Sequence, residues 1–397
     1  MSFRLHDNYA FIDTNKLYGE HALTRVDYNI KPKSNNFSRL DSSLLTLDFL
    51  LRHGKKPIVI SHNGRYKREK QPKSLKFVVN RLEEKLKERV SNNINLRFCP
   101  YDLDLLLKES KNLKSSELLL FENTRWTPDD EKNDENLARL LSETSDFFVL
   151  DTLSVAHRDN ASVTGPMRYL PSYLGLSARI QLKLLKPFLG DEENTLYIIG
   201  GAKLKEKLAA VEYFGNFSPV LVGGAVFNVL YEQTGHSVGA SLKTDNGKDF
   251  SKQAKRILHN IPSKNLLAPS VLICYNPKEK KVKNFNFGED IPKDHQIVDL
   301  HFHTIDLKSQ NVKRVLHAGA MCWTEGGFTN ATKEVAMILS SYHHLVCGDD
   351  SRSALQGVNP NFYINYSTAG GAALKFLIDK DLIALKKLRD NNKKYFE

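Results

Sequence analysis

Lys203 and Lys207 stand four residues apart in "YIIGGAKLKEK" (197–207), directly after Gly200–Gly201 and at the head of a helix-forming stretch. That spacing puts both ammonium groups on one helix face, with Lys205 pointing elsewhere. A helix N-terminus disfavours cations, so lysines placed there imply an anion that compensates them. The spacing belongs neither to a Walker loop nor to a dinucleotide fingerprint. A second set of polar residues lies in the first half of the chain. Asp27 and Asn29 follow "RV", Arg39 opens the next helix, His62 and Arg65 sit in "SHNGR", Arg125 follows "LLLFENT", and Arg158 closes "AHR". Guanidinium forks grip carboxylate and phosphate bidentately. Four arginines and a histidine at strand ends therefore describe a pocket for a small, multiply charged anion. In "DLHFHTID", His301 and His303 share one face of a strand, but no Cys-x-x-Cys or His-Glu-x-x-His spacing supports zinc, and packed or solvent-facing histidines are the reading.

The elements that must position these groups alternate. Strands are predicted in "RVDYNI", "PIVISH", "ELLLFEN", "FFVLDTL", "LYIIGG", "PVLVGG", "SVLICY", "RVLHAG", "HHLVCG" and "YINYST", and helices over 74–91, 133–144, 225–233 and 330–341. This rhythm implies parallel sheets covered on both faces, an α/β fold in which ligands bind beyond the carboxyl ends of the strands. A long helical pattern over 169–190 reads as a connector between two α/β halves.

Composition narrows the classes. The 397 residues, 41% hydrophobic and 26% charged, suit an ordinary globular protein of two or three domains. No apolar run has membrane-spanning length, and the N-terminus has no secretory pattern. Cys99, Cys274, Cys322 and Cys347 have no paired spacing, which suits free thiols in a reducing cytoplasm. The net charge of +11 is concentrated in 52–76, where Tyr66 is the only ring, so base stacking is not indicated.

In order along the chain, "RVDYN", "SHNGR", "ENTRWTPDDEKND", "LDTLSVAHRDNASVTG", "GGAKLKEK" and "STAGGAALKFL" resemble the motifs of the phosphoglycerate kinase family, from about Arg25 to Leu377. The resemblance implies two doubly wound parallel-sheet domains. These are a phosphoglycerate-binding domain over 1–175, a connector helix over 176–190, a nucleotide-binding-like domain over 191–380, and a C-terminal helix over 381–397 returning to the first domain. It implies that Asp27, Asn29, His62, Arg65, Arg125 and Arg158 bind 3-phosphoglycerate or 1,3-bisphosphoglycerate. By the same likeness Arg39, Lys203, Lys207, Gly370 and Gly371 serve catalysis, and Gly200, Gly201, Gly223, Gly224, Gly319, Glu325, Gly348 and Asp349 serve the nucleotide, with Asp349 toward Mg²⁺. Closure about the connector would bring Arg39 toward Lys203 and Lys207 and exclude water. A cytoplasmic monomer acting on small molecules, with no nucleic-acid or membrane partner, is the corresponding expectation.

The second half departs from the family pattern. "HAGAMCWTE" puts Ala318 and Ala320 where the family has asparagine and proline, "VCGDD" puts Val346 and Cys347 in a glycine run and adds Asp350, and "VDLHF" loses a tight turn. The first half-site is thus expected to be intact and the nucleotide half-site altered. The readings are a divergent kinase using ADP and ATP, a relative that passes the activated glyceryl group to another nucleophile with weak or no ATP-dependent activity, and a non-catalytic binder. Arg39, Lys203 and Lys207 argue against the last, since a binder has no use for transition-state cations.

Overall fold

The computed structural model describes residues 9–31, 36–66, 72–190, 194–302, 307, 311–359 and 365–397. They divide into two units, Met1–Lys183 with Asp381–Glu397, and Leu184–Lys380.

In the first unit the apolar runs become β1 (His21–Arg25), β2 (Lys56–Ile60), β3 (Asn95–Cys99), β4 (Glu117–Phe121), β5 (Phe147–Leu150) and β6 (Ser172–Leu174). Between them lie α1 (Ser38–Arg52), α2 (Val79–Arg89), α3 (Leu103–Lys111) and α4 (Glu135–Ser142). The strands form one parallel sheet, β3-β4-β2-β1-β5-β6. "ELLLF" and "FFVL" are buried along nearly their whole length, as strands covered on both faces must be. Leu40 and Leu47 of α1 and Leu82 and Leu86 of α2 pack with Val59 and Leu120 in one core cluster.

Two expectations shift here. "RVDYNI" is not a strand throughout: β1 ends at Arg25, because the Asp27 carboxylate accepts from the Asn29 amide at 2.9 Å and turns the chain. The connector pattern over 169–190 is not one helix either. Pro171 disfavours helix before it, residues 172–174 pair with β5 as β6, and α5 (Leu176–Leu185) starts only afterwards. Asp151, just beyond β5, accepts from the Ser177 amide at 2.9 Å and the Thr46 hydroxyl at 2.7 Å, fixing the start of α5.

The second unit contains β7 (Thr195–Ile199), α6 (Leu204–Gly215), β8 (Val220–Val222), α7 (Gly224–Gln233), α8 (Ser251–Asn260), β9 (Leu266–Leu267), β10 (Val271–Asn276), β11 (Lys281–Asn286) and β12 (Gln296–His301). It continues with β13 (Arg314–Ala318), α9 (Asn330–Ser340), β14 (His343–Cys347), α10 (Asp349–Val358), β15 (Tyr366–Ser367) and α11 (Gly371–Asp379). Six strands form a parallel sheet, β15-β14-β13-β7-β8-β9. "SVLICY" leaves the parallel series. It becomes β10 in a separate antiparallel sheet, β11-β10-β12, because four residues separate it from β11 and so short a link joins only antiparallel neighbours.

The chain ends in α12 (Ile383–Tyr395), part of the first unit. Its Leu385 and Leu388 are fully buried, and Asn391 accepts from the Ser172 amide and donates to the Met167 and Leu170 carbonyls. Among the described residues no helix is long and apolar enough to cross a membrane.

Candidate functional site

Parallel strands present their carboxyl ends on one edge, and β4, β2, β1 and β5 are successive neighbours in the first sheet. Asp27 follows β1, His62 and Arg65 follow β2, Arg125 follows β4 and Arg158 follows β5 in the chain, so the fold collects the anion-binding candidates along that edge. Asn29 accepts from the Gly64 amide at 2.9 Å and Arg125 Nη1 donates to the Gly64 carbonyl at 2.7 Å, which pins the "SHNGR" loop from two sides. Asp27 accepts from Arg39 and from the Ser154 hydroxyl. Arg158 Nε donates to His157 at 3.2 Å, and Arg65 is half-buried.

Arg125 is buried almost completely. Its Nε lies 3.4 Å from Asp130, yet Nε and Nη2 have no hydrogen-bond partner. A buried guanidinium with unused N–H groups is costly unless an anion completes it. Arg25, which sequence reasoning passed over, is fully buried and donates to His62 Nδ1 at 3.0 Å. Arginine only donates, so Nδ1 is the acceptor and the ring proton sits on Nε2. Burial, with Arg125, Arg25, Arg158 and Arg39 nearby, holds His62 well below its ordinary pKa and keeps it neutral. Arg25 itself is lowered to about 10 by burial and stays charged at neutral pH. The signal available for it was an arginine closing a strand, "HALTR", just before the polar residues of the strand end.

The second unit holds a cavity of about 590 Å³. Its polar end is made by Gly200, Gly201, Gly319, Gly348, Gly370 and Gly371 with Lys203 and Lys207. Backbones approach closely there: a Cβ on Gly319, whose φ is +106°, would lie 2.0 Å from the Gly200 carbonyl oxygen. Lys203 is exposed at the start of α6. Lys207 is buried and donates to the Ala318 carbonyl at 2.7 Å. Burial lowers its pKa to about 8, opposed by Cys347, Glu206 and Asp350. His317 sits in the sheet beneath and donates from Nε2 to the Gly319 carbonyl at 2.7 Å. Burial lowers it to about 4, so it is neutral.

Several sequence expectations change at this site. Gly224 and Glu325 line the cavity, but Gly223 and Asp349 do not; of the Asp349–Asp350 pair it is Asp350 that reaches the wall. Asp349 Oδ1 instead accepts from the Tyr366 hydroxyl. Val346 does not crowd the site: it is wholly buried in β14 and is not on the cavity wall, and the Ala318 side chain is not on the wall either. Cys347 does line the cavity, as an inert thiol that burial pushes up to about 12. Residues not anticipated on the wall include Glu206, Asn228, Asp299 and Trp323. His301 pairs with Glu334, while His303 and residues 67–71 of the basic run lie outside the described residues. Among the described residues no group of three or more His, Cys, Asp or Glu side chains is placed to hold a metal.

Known proteins share both sequence and architecture with this chain. A family model described as "Phosphoglycerate kinase" matches residues 12–380. The phosphoglycerate kinase of Thermosipho africanus is 30% identical over 398 residues, covering 95% of this chain and 97% of that protein. That of Borreliella burgdorferi is 31% identical over 396 residues, covering 95% and 98%. The crystal structure of phosphoglycerate kinase from Pyrococcus horikoshii superposes with a TM-score of 0.82 at 21% identity, over 97% of this chain and 100% of that one. The structure of the Coxiella burnetii enzyme gives 0.73 at 23% identity, over 96% and 99%. At these identities the two structures speak to the fold.

Proposed function

The chain belongs to the phosphoglycerate kinase family, and on that premise we propose that it transfers a phosphoryl group between 1,3-bisphosphoglycerate and ADP, and in reverse from ATP to 3-phosphoglycerate. The observation that carries the reading is Arg125, buried at the carboxyl edge of the first sheet with Nε ion-paired to Asp130 but Nη2 lacking a hydrogen-bond partner. In this reading Arg65, Arg125 and Arg158 hold the phosphate that is not transferred, and neutral His62 offers Nε2–H as a further donor. Asp27 and Asn29 take the glycerate hydroxyl and carboxyl. Asp27 also orients Arg39, whose charge faces the phosphoryl group in flight.

The diphosphate enters the polar end of the second unit's cavity. An oxygen of its terminal phosphate attacks the acyl phosphorus, the bond from phosphorus to the carboxyl oxygen breaks, and that electron pair leaves with the carboxylate. No proton has to move, so the reaction asks for positioned cations rather than a base. Lys203 and Lys207 supply them, and the turn at Gly370–Gly371 presents backbone to the phosphates. Mg²⁺ would come with the nucleotide as part of the substrate and neutralise phosphate charge, and of the Asp349–Asp350 pair Asp350 is the one on the cavity wall that could meet it.

Transfer of the glyceryl group to a protein thiol has no support in this site, since Cys347 is protonated and buried. Cys347 and Asp350 remain reasons for slow turnover, as does the missing asparagine amide at Ala318; Val346, buried in β14 and off the cavity wall, does not. The test is a coupled assay running 3-phosphoglycerate and ATP·Mg toward the acyl phosphate. ATP-dependent product above background supports the kinase. No turnover, with 3-phosphoglycerate binding retained, sinks it.

A further inference from the structure

The cavity of the second unit is chemically two-ended. Beyond the glycines and lysines, the wall carries a set of apolar side chains, Phe227, Leu242, Ile297, Met321 and Trp323. Several polar side chains join that wall, Gln296, Asp299 and Glu325 among them, and Asn228 is the one with an unpartnered buried acceptor. Asn228 lies on α7 four residues after Gly224, whose backbone borders Gly201 at the polar end. Four residues are one helical turn, so Asn228 sits on the same face about 6 Å further along. It is 4% exposed. Its Nδ2 donates to the Leu242 carbonyl at 3.0 Å, and its Oδ1 is buried without a hydrogen-bond partner.

The Leu242 carbonyl decides which way the amide points, because only Nδ2 can donate to it. The unused atom is therefore an acceptor. A buried carbonyl oxygen in an apolar wall gains from a ligand N–H and is repelled by a ligand carbonyl. We propose that Asn228 is a specificity-determining residue whose Oδ1 accepts a hydrogen bond from the exocyclic amino group of an adenine base, selecting ADP over a diphosphate whose base carries a carbonyl there. The inference rests on the reading of this cavity as the nucleotide site. It adds the residue that reads the base and the direction of the hydrogen bond.

ADP and inosine diphosphate differ at that position, amino donor against carbonyl acceptor, and serve as probes. Titration calorimetry of the full chain with each, in Mg²⁺, should show ADP binding about tenfold more tightly, the effect of one buried hydrogen bond and the clash that replaces it. In Asn228→Leu the ratio should fall toward one, chiefly through weaker ADP binding. Equal wild-type affinities overturn the inference while leaving the nucleotide reading in place, and this comparison needs no variant to fold. A preference that survives in a folded Asn228→Leu protein shows that another group reads the base and overturns it too. If neither diphosphate binds while 3-phosphoglycerate does, the nucleotide reading fails and the inference fails with it.

Discussion

At the scale of single residues, the two half-sites handle buried charge differently. Arg125 keeps Nη2 without a hydrogen-bond partner, so a ligand phosphate gains a charge-assisted hydrogen bond without displacing a protein one. Arg125→Ala should weaken 3-phosphoglycerate binding by at least tenfold, since each such bond contributes about 1.5–3 kcal/mol. Calorimetry on a variant whose circular dichroism matches wild type checks this, and unchanged affinity would remove Arg125 from the anion pocket. Lys207 has its charge partly suppressed, with a pKa of about 8 against an ordinary 10.5. Between those values the unfolded chain holds the proton that the folded chain has released. This contribution to stability is therefore present above 10.5 and lost as pH falls through about 8. Function runs the opposite way, because phosphate needs the ammonium. The kcat/KM for nucleotide should decline as pH rises through about 8, and Lys207→Arg, charged at every accessible pH, should lose that limb. A profile with the same limb in the variant would assign it to another group.

At the scale of elements, the polar end of the cavity depends on loops too tight for side chains. The turns after β7 and β13 meet backbone to backbone at Gly200 and Gly319, held by the Gly200 amide on the Ala318 carbonyl and the Gly319 amide on the Ser351 hydroxyl. Gly319→Ala adds a Cβ 2.0 Å from the Gly200 carbonyl oxygen at a φ of +106°, so the loops must separate. The expected result is nucleotide affinity reduced beyond detection, with 3-phosphoglycerate affinity unchanged. Paired titrations measure both, and a variant that binds ADP normally would show that the close approach is dispensable. The segment before α10 makes a related point. Gly348 at φ +97° turns β14 into α10, and successive helical residues lie about 100° apart. That rotation sends Asp350 to the cavity wall and Asp349 to Tyr366.

At the scale of the whole molecule, the last residues of the chain complete the first unit. Asn391 of α12 makes three hydrogen bonds to residues 167–172, two of them buried, where the chain leaves its loops to form β6. Asn391→Ala should cost about 2–4 kcal/mol by leaving those backbone groups unsatisfied. Calorimetric unfolding should show a transition several degrees lower, relieved by 3-phosphoglycerate and indifferent to ADP. A transition rescued by ADP alone would place the loss in the other unit.

What the amino-acid sequence determined by itself was the order of motifs and the edge on which they act. Apolar runs of strand length between helical patterns imply parallel strands, and the polar residues following such strands fall at their carboxyl ends. Asp27, His62, Arg65 and Arg125 were legible for that reason, as were Lys203 and Lys207 from their spacing of four. Tertiary structure decided what depends on direction rather than position. Side-chain direction follows backbone dihedral angles and long-range packing, which a run of residue types does not record. Thus Val346 and Ala318 were buried off the cavity wall, Asp350 rather than Asp349 met the cavity, and "SVLICY" left the parallel series for a hairpin. Arg25 and Asn228 were silent for the same reason: each acts through a contact far away in the chain, Arg25 on His62 and Asn228 on Leu242, and only the fold brings those partners together.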